Sequence, residues 1–155
     1  AVRESAEERA AVAHAGEEGP AEYIWEAINH LYVKRIDHGN KCLNDMELVN
    51  HLVQKQIPLT LCPLSNLELK VITKMTDYPL KEMMDHGLLV TINSDDPAYF
   101  GGYMNENYMA VADSLNLDHN HIAELAENGI KSSWMNADQK ERHQMKVKEV
   151  LAQYQ

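Results

Sequence analysis

Apolar positions along the chain form two kinds of pattern that alternate. Four short apolar runs are separated by longer stretches in which apolar residues recur every three to four positions. The short runs predict β-strands and the longer stretches predict helices. Because none of the runs alternates strictly between apolar and polar residues, they favour parallel strands that are buried on both faces. The four runs are residues 10–13, 33–36, 57–61 and 88–92.

Two helices are predicted between the first three runs. Pro20 favours a helix start, because proline is tolerated in a first helical turn, and apolar residues at helical spacing extend this helix over residues 21–31. Asn44 with Glu47 three residues later resembles a capping box, which predicts the start of a second helix. The second helix should end near Gln56, just before the third run.

Further helices are predicted before and after the fourth run. Pro79 opens a short helix that Gly87 stops. Asp118 and Asn136 are favourable N-cap residues for two of the three helices that follow. These three helices are predicted at residues 105–115, 118–131 and 136–153. The opening stretch up to Arg9 is charged and rich in alanine, as expected inside a helix.

Four successive strand and helix units predict a parallel α/β sheet. Two architectures compete, an open doubly wound sheet and half of an eight-stranded barrel. Polar residues follow every apolar run, and in a barrel several strand ends contribute to one site, whereas in an open sheet they cluster at one switch point. The pattern therefore favours a barrel segment. The polar stretches are residues 14–17, 37–39, 62–66 and 93–97.

Composition restricts the partners that we expect. The length of 155 residues suits one domain over residues 1–155. The net charge of −10 argues against binding to nucleic acid or an anionic membrane. No apolar run approaches the ~20 residues of a membrane span, and no signal segment opens the sequence. We therefore expect a cytoplasmic protein. Cys42 and Cys62 are too few for a disulfide framework and are expected to be buried free thiols.

The polar stretches contain the donor types of a metal-dependent hydrolase. His14, His38 and Asp95 offer nitrogen and oxygen atoms of the kind that zinc binds. Glu17 is a carboxylate close to His14 that could move protons during hydrolysis, and Asp96 is free to contact a substrate. If only one histidine and one aspartate bind the metal, they are too few for a catalytic zinc site, which usually takes three protein ligands.

Four motifs in order carry a resemblance to a known family. The chain resembles the carboxyl-terminal half of the adenosine/adenine deaminase family of zinc-dependent aminohydrolases, from about residue 10 to 131. Ser94 stands where the nucleoside enzymes commonly carry threonine, so the chain is more similar to the adenine deaminase branch. The motifs are His14-Ala15-Gly16-Glu17, Arg35-Ile36-Asp37-His38-Gly39, Cys62-Pro63-Leu64-Ser65-Asn66 and Ser94-Asp95-Asp96-Pro97.

The resemblance implies a (β/α)₈ TIM barrel of which this chain holds strands 5–8 and the carboxyl-terminal helices, with one Zn²⁺ as cofactor. His14 and Asp95 would be zinc ligands. Glu17 would donate a proton to purine N1. His38 would orient and deprotonate the water that attacks C6. Ser65 and Asn66 either shape the loop or touch the substrate, and we favour the structural role.

The same resemblance implies how a purine substrate is bound and converted. Asp96 would hydrogen-bond to N7 of the ring, and the backbone N–H of Gly16 would approach N3. Attack of water at C6 would expel ammonia and convert adenine into hypoxanthine. Adenosine is the alternative substrate.

One motif of the family is absent before His14. Two further zinc ligands would come from a His-x-His motif on the first barrel strand. His119-Asn120-His121 has this spacing but follows the fourth run and abuts Asp118, so we interpret it as the start of a surface helix. Barrels of this type need about 250 residues, so the chain is expected to be the second half of one. The alternative function is a catalytically incomplete half barrel that pairs with another copy or with a missing half.

Overall fold

The computed structural model of the protein describes residues 10–154. The helix expected up to Arg9 lies outside these residues. The strands are β1 (Val12–Ala15), β2 (Arg35–His38), β3 (Leu59–Leu61) and β4 (Val90–Ile92). The helices are α1 (Ala21–Leu31), α2 (Met46–Lys55), α3 (Pro63–Glu68), α4 (Leu80–Asp85), α5 (Pro97–Phe100), α6 (Met104–Leu115), α7 (His119–Ser132) and α8 (Ala137–Leu151).

All three strand pairings are parallel, and the strand order is β1-β2-β3-β4. Each crossover therefore leads to the next strand in the same direction, without the reversal of order that marks a doubly wound sheet. The register places His14 beside Asp37, Asp37 beside Thr60, and Thr60 beside Thr91. The predicted fold class is confirmed: these are consecutive β/α units of a barrel-type α/β sheet.

The hydrophobic core lies on one face of the sheet, where helices cover it. Ile36 of β2 and Leu59 and Leu61 of β3 are fully buried on this face. The expectation that all strands are buried on both faces is wrong, because β2 alternates: Arg35 and Asp37 on its other face are only partly buried. The helix residues with the largest fully buried side chains complete the core: Ile24, Leu48, Leu52, Leu80, Met83 and Leu125.

The predicted strand boundaries need correction. β1 and β2 each begin and end two residues later than the apolar runs, so His14, Asp37 and His38 lie inside strands. The ladder hydrogen bonds come from the backbone, and polar side chains on the open face do not interrupt them. β3 and β4 are shorter than predicted and end with their runs, at Leu61 and Ile92.

Most helix starts agree with the sequence, with one exception. Asp118 and Asn136 cap α7 and α8 as predicted. Asp45 rather than Asn44 caps α2, because its Oδ1 accepts hydrogen bonds from the backbone of Glu47 at 2.9 Å and Leu48 at 3.1 Å. The sequence prediction also missed α3, α5 and the 3₁₀ turns Asn40–Asn44 and Met75–Asp77.

No helix in residues 10–154 has the length and hydropathy to cross a membrane.

Candidate active site

Two histidines from neighbouring strands meet at the carboxyl end of the sheet. Nε2 of His38 lies 3.1 Å from Nδ1 of His14, with the ring centroids 5.1 Å apart. His38 is the last residue of β2 and has a φ of 68°, in the left-handed region. Its side chain is 2% exposed, whereas that of His14 is 69% exposed. His38 is therefore the buried centre of this group.

Two carboxylates flank the His38 imidazole. Oε1 of Glu17 lies 3.3 Å from Nδ1 of His38, and Oδ2 of Asp95 lies 4.0 Å from its Nε2. Nδ1 is buried and makes no aligned hydrogen bond despite its proximity to Glu17. Burial lowers the pKa of His38 and outweighs the opposing effect of Glu17, so the ring is mainly neutral near pH 7.

Asp95 is held by its backbone and by a neighbouring serine. Its φ of 57° lies in the left-handed region, which aspartate tolerates better than most residues. The hydroxyl of Ser65, a fully buried residue of α3, donates to Oδ2 of Asp95 at 2.7 Å. The Asp95 carboxylate, three residues after the end of β4, is thus turned toward α3 and His38, and one of its oxygens has a fixed hydrogen-bond donor.

Glu17 and Gly16 lie in the turn after β1. Gly16 has a φ of 68°, and a Cβ atom there would overlap the side chain of Ile24, so glycine is required both by conformation and by space. Its carbonyl accepts from the backbone N–H of Lys41 at 2.8 Å. Glu17 accepts a hydrogen bond from Nδ2 of Asn66 at 2.9 Å, and its side chain is 21% exposed.

Asp96 stands apart from the other predicted site residues. It is exposed, and it occupies the N-cap position of α5 without making a side-chain cap hydrogen bond. Three predicted residues, His14, Glu17 and Asp95, have side-chain atoms within 4.0 Å of the His38 ring nitrogens, and Gly16 precedes Glu17. A cavity of about 220 Å³ lies at this group and is lined by His14, Arg35, Asp37, His38, Thr60, Cys62, Asn93 and Asp95.

Asp37 is a cavity residue to which the sequence assigned no role. Its Oδ1 accepts from the hydroxyl of Thr60 at 2.7 Å and lies 3.4 Å from Nε of Arg35. Its Oδ2 lies 3.7 Å from Nε2 of His14. The guanidinium of Arg35 lies 4.2 Å from the ring centroid of Trp134. The only sequence signal for the contact between Asp37 and His14 is the position of Asp37 beside His38 in the second motif.

The donor set fits part of a divalent metal site. Nδ1 of His14 and Oδ2 of Asp95 both approach Nε2 of His38, at 3.1 and 4.0 Å. Atoms of His38, Cys62 and Asp95 lie within 4.8 Å of one another. Burial, followed by the nearby carboxylates, raises the pKa of the Cys62 thiol to about 12, so without a metal this thiol carries its proton. Histidine nitrogen and aspartate oxygen are donors that suit Zn²⁺.

The cysteines and the His-x-His segment agree with their predicted structural roles. Cys42 and Cys62 are buried free thiols. His119 and His121 lie at the start of α7, where Nδ1 of His121 is 2.6 Å from Oδ1 of Asp118 and the His119 ring stacks on Tyr154. The interpretation of this segment as a helix start is confirmed.

The fold is a parallel sheet with helices, as in part of a β/α barrel. The family model for adenosine deaminase matches residues 3–150 of the chain. The chain belongs to the adenosine deaminase family.

Adenine deaminases are among its similar proteins. The adenine deaminase of Crocosphaera subtropica is 54% identical over 131 residues, which are 84% of this chain and 40% of that protein. The adenine deaminase of Chlorobium phaeobacteroides is 54% identical over 132 residues, 85% of this chain and 39% of that protein. The chain thus spans about two fifths of the length of these curated relatives.

Solved structures show the same relationship. The crystal structure of adenine deaminase from Arthrobacter aurescens superposes with a TM-score of 0.89 at 48% identity, and covers 91% of this chain and 43% of that chain. An amidohydrolase from Burkholderia ambifaria with bound zinc has a TM-score of 0.78 at 24% identity, covering 91% of this chain and 42% of that one. The second similarity concerns the fold alone.

Proposed function

We propose that the protein catalyses the hydrolytic deamination of adenine to hypoxanthine and ammonia, and that it requires zinc. The observation that carries this proposal is the convergence of Glu17, Asp95 and His14 on the buried imidazole of His38. An acid, a neutral base and metal donors in one group are what hydrolysis at an aromatic carbon needs. Relatives named adenine deaminase at 54% identity support the choice of substrate.

His14 and Asp95 are the residues that would hold the metal. They offer one nitrogen and one oxygen donor near the same atom of His38, and nitrogen and oxygen donors suit Zn²⁺. Zinc, when bound, would lower the pKa of water, so that water could act as a nucleophile near neutral pH. Because two protein ligands are fewer than the usual three, we propose that the remaining ligands come from outside residues 10–154.

Glu17 and His38 divide the proton transfers between them. Glu17 is the proton donor to purine N1, which makes C6 electrophilic. His38 is the base toward the attacking water, because burial lowers its pKa and keeps the imidazole neutral and able to accept a proton. Oε1 of Glu17 lies 3.3 Å from Nδ1 of His38, and this short distance supports their assignment as a neighbouring acid and base.

Gly16 and Asp96 would orient the purine ring. Gly16 directly precedes Glu17 and has a φ of 68°, and we assign its N–H to N3 while Glu17 addresses N1. Asp96 follows Asp95 directly and is exposed, so its carboxyl group is free to hydrogen-bond to N7. Both assignments rest on family resemblance together with these positions.

The test of this function is an assay of the zinc-loaded full-length gene product with adenine and with adenosine, following ammonia release. We expect release from adenine at a higher kcat/KM than from adenosine. Absence of release from both substrates, with zinc bound in stoichiometric amount, refutes the proposal. A strong preference for adenosine refutes the choice of adenine and leaves the deaminase chemistry in place.

A chimeric enzyme tests whether this chain can supply its share of the site. In the adenine deaminase of Crocosphaera subtropica, the 131 matching residues are replaced by those of this chain. We expect the chimera to bind zinc and deaminate adenine. The matched control is the same chimera with Glu17→Gln, which should bind zinc and lose turnover.

The alternative is that the 155-residue chain by itself is an incomplete half barrel. This alternative is supported by the two metal ligands in the described residues and by the coverage of about two fifths of each relative. In residues 10–154, β1 and β4 each pair with one neighbour, which leaves two sheet edges open to association. Gel filtration and metal analysis of the chain decide this: a monomer that holds zinc tightly and turns over adenine contradicts it.

A further inference from the structure

The carboxylate of Glu17 is held by a buried hydrogen-bond network behind the site. Nδ2 of Asn66 donates to Oε1 of Glu17 at 2.9 Å, although the residues are 49 positions apart. Oδ1 of Asn66 accepts two further hydrogen bonds, from Nδ2 of Asn40 at 2.8 Å and from the hydroxyl of Tyr78 at 3.0 Å. Asn66 is fully buried, so water does not compete for its amide.

The two donors fix the direction in which the Asn66 amide faces. Burial raises the pKa of Tyr78 well above its ordinary value, so this hydroxyl keeps its proton and donates it. The NH₂ group of Asn40 donates to the same oxygen. Turning the Asn66 amide over would set its NH₂ group against both donors, and the NH₂ group therefore faces Glu17.

The backbone around Asn66 is also fixed. Its N–H donates to the carbonyl of Cys62 and its carbonyl accepts from the N–H of Val71, both at 2.9 Å. Asn40 lies in the 3₁₀ turn after β2, and Tyr78 follows the 3₁₀ turn before α4. The network thus connects the ends of β1, β2 and β3, and its geometry is set by the fold rather than by a mobile side chain.

Oε1 of Glu17 is consequently an acceptor. It receives the hydrogen bond from Asn66, and Nδ1 of His38 lies 3.3 Å from the same oxygen. A carboxylic acid carries its proton on one oxygen, and the hydrogen bond from Asn66 favours Oε1 as the oxygen without a proton, because the carbonyl oxygen of an acid is a better acceptor than its hydroxyl oxygen. When Glu17 is protonated, the proton is therefore on Oε2.

We propose that Asn66 is a positioning residue whose buried amide fixes Oε1 of Glu17 as an acceptor and leaves Oε2 to deliver the proton to the purine ring. This proposal rests on the proposed deaminase function. In the transfer, the Oε2–H bond breaks, an N–H bond forms with the lone pair of the ring nitrogen, and the O–H electron pair stays on Glu17. The hydrogen bond from Asn66 strengthens as this negative charge develops, which favours the transition state over the ground state.

A double-mutant cycle in the zinc-loaded full-length gene product tests the proposal, with adenine as substrate. We expect Asn66→Ala to lower kcat by about 10- to 100-fold with a much smaller change in KM, because the lost bond acts on developing charge. In a Glu17→Gln background the same substitution should lower kcat by less than about threefold, since the residue through which Asn66 acts is gone. Equal losses in the two backgrounds overturn the positioning role.

A matched control separates positioning from general destabilisation. Asn107 is also a fully buried asparagine, whose amide donates to the carbonyls of Gly102 and Tyr103 and accepts from the backbone N–H of Leu64 in α3, with no hydrogen bond to Glu17. We expect Asn107→Ala to lower Tm about as much as Asn66→Ala and to leave kcat within about threefold of wild type. A kcat loss for Asn107→Ala equal to that of Asn66→Ala contradicts the specific role of Asn66.

A second variant, Tyr78→Phe, tests the same proposal if Asn66→Ala folds poorly. Tyr78→Phe preserves shape and removes one of the two donors that orient the Asn66 amide, so we expect a kcat loss of about 3- to 10-fold with zinc retained. If the wild type is active and both Asn66→Ala and Tyr78→Phe keep kcat within about twofold of it, the positioning role is refuted and the proposed function stands. A zinc-loaded wild type without deaminase activity refutes the proposed function itself, and the positioning role falls with it.

Discussion

Nε2 of His38 lies 3.1 Å from Nδ1 of His14, although the two residues are 24 positions apart in the sequence. The contact follows from the register of β1 and β2, which pairs His14 with Asp37 and Ala15 with His38. The His38 imidazole is buried and the His14 imidazole is exposed, so the pair extends from the interior of the sheet end to its surface. The remaining polar groups of the candidate site surround this pair.

Replacement of Glu17 by glutamine should abolish most turnover in the full-length gene product. Glutamine has the same shape but cannot donate a carboxylic proton, so we expect kcat to fall by about 10²- to 10⁴-fold. Zinc content, measured by metal analysis, should be unchanged because Glu17 is not placed as a ligand. A rate close to that of wild type would show that the proton comes from another group.

Substitution of Asp95 should remove the metal. Asn is the cleaner replacement, because it tolerates the φ of 57° and removes only the charge, whereas Asp95→Ala adds backbone strain. We expect both variants to lose zinc on dialysis. Ser65→Ala, which removes the 2.7 Å hydrogen bond to Oδ2, should weaken zinc affinity by about 10- to 100-fold.

Asp96→Asn is the control for the metal experiment. Asp96 is the neighbouring aspartate and is exposed. We expect this variant to keep its zinc and to bind adenine more weakly, because the carboxyl group is assigned to N7. Zinc loss from Asp96→Asn equal to that from Asp95→Asn would contradict the assignment of the two residues.

Two glycine substitutions should change stability in opposite directions. Gly16→Ala introduces a Cβ that overlaps Ile24 at a φ of 68°, and we expect a loss of about 1–3 kcal/mol in the free energy of unfolding. Gly129→Ala lies inside α7 with no atom within 4 Å of the new Cβ, and we expect a gain of about 0.5–1 kcal/mol. Urea unfolding of the chain measures both, and a shared sign would contradict the local geometry.

The cap of α7 should make stability depend on pH in the acid range. Hydrogen bonds from the backbone and then the side chain of His121 lower the pKa of Asp118 from 3.8 to about 2. Since the folded-state pKa is depressed, the stabilisation is complete above the unfolded value and is lost as pH falls through about 2. We expect the Tm difference between wild type and Asp118→Asn to shrink from pH 5 toward ~pH 2.5. A difference that stays constant over this range would show that the carboxylate charge does not support the cap.

Much of the fold is encoded locally. Helix α1 has the predicted bounds, and Asp118 and Asn136 cap α7 and α8 as expected, because helical periodicity and caps depend on neighbouring residues. The strand bounds of β1 and β2 were displaced because His14, Asp37 and His38 are polar within strands. An apolar run in the sequence indicates which side chains are buried, whereas a strand is defined by its backbone hydrogen bonds. The two therefore need not have the same bounds.

The site was predictable only in part. Four ordered motifs pointed to His14, Glu17, His38 and Asp95, and the structure links each of the other three to His38. The donor from Asn66 to Glu17 spans 49 residues, and no periodicity or local pattern reports such a contact. Distances of this kind depend on how the strand ends are arranged around the sheet, and so they require coordinates.

The left-handed backbone at His38 and Asp95 also limits how this site could be diversified in the laboratory. A library that randomises the ends of β2 and β4 would lose most members for conformational reasons before any chemistry is selected, since branched and bulky residues are disfavoured there. Codons for glycine, asparagine, aspartate and histidine would survive best. New activities are therefore more accessible through positions with ordinary backbone angles, such as Thr60.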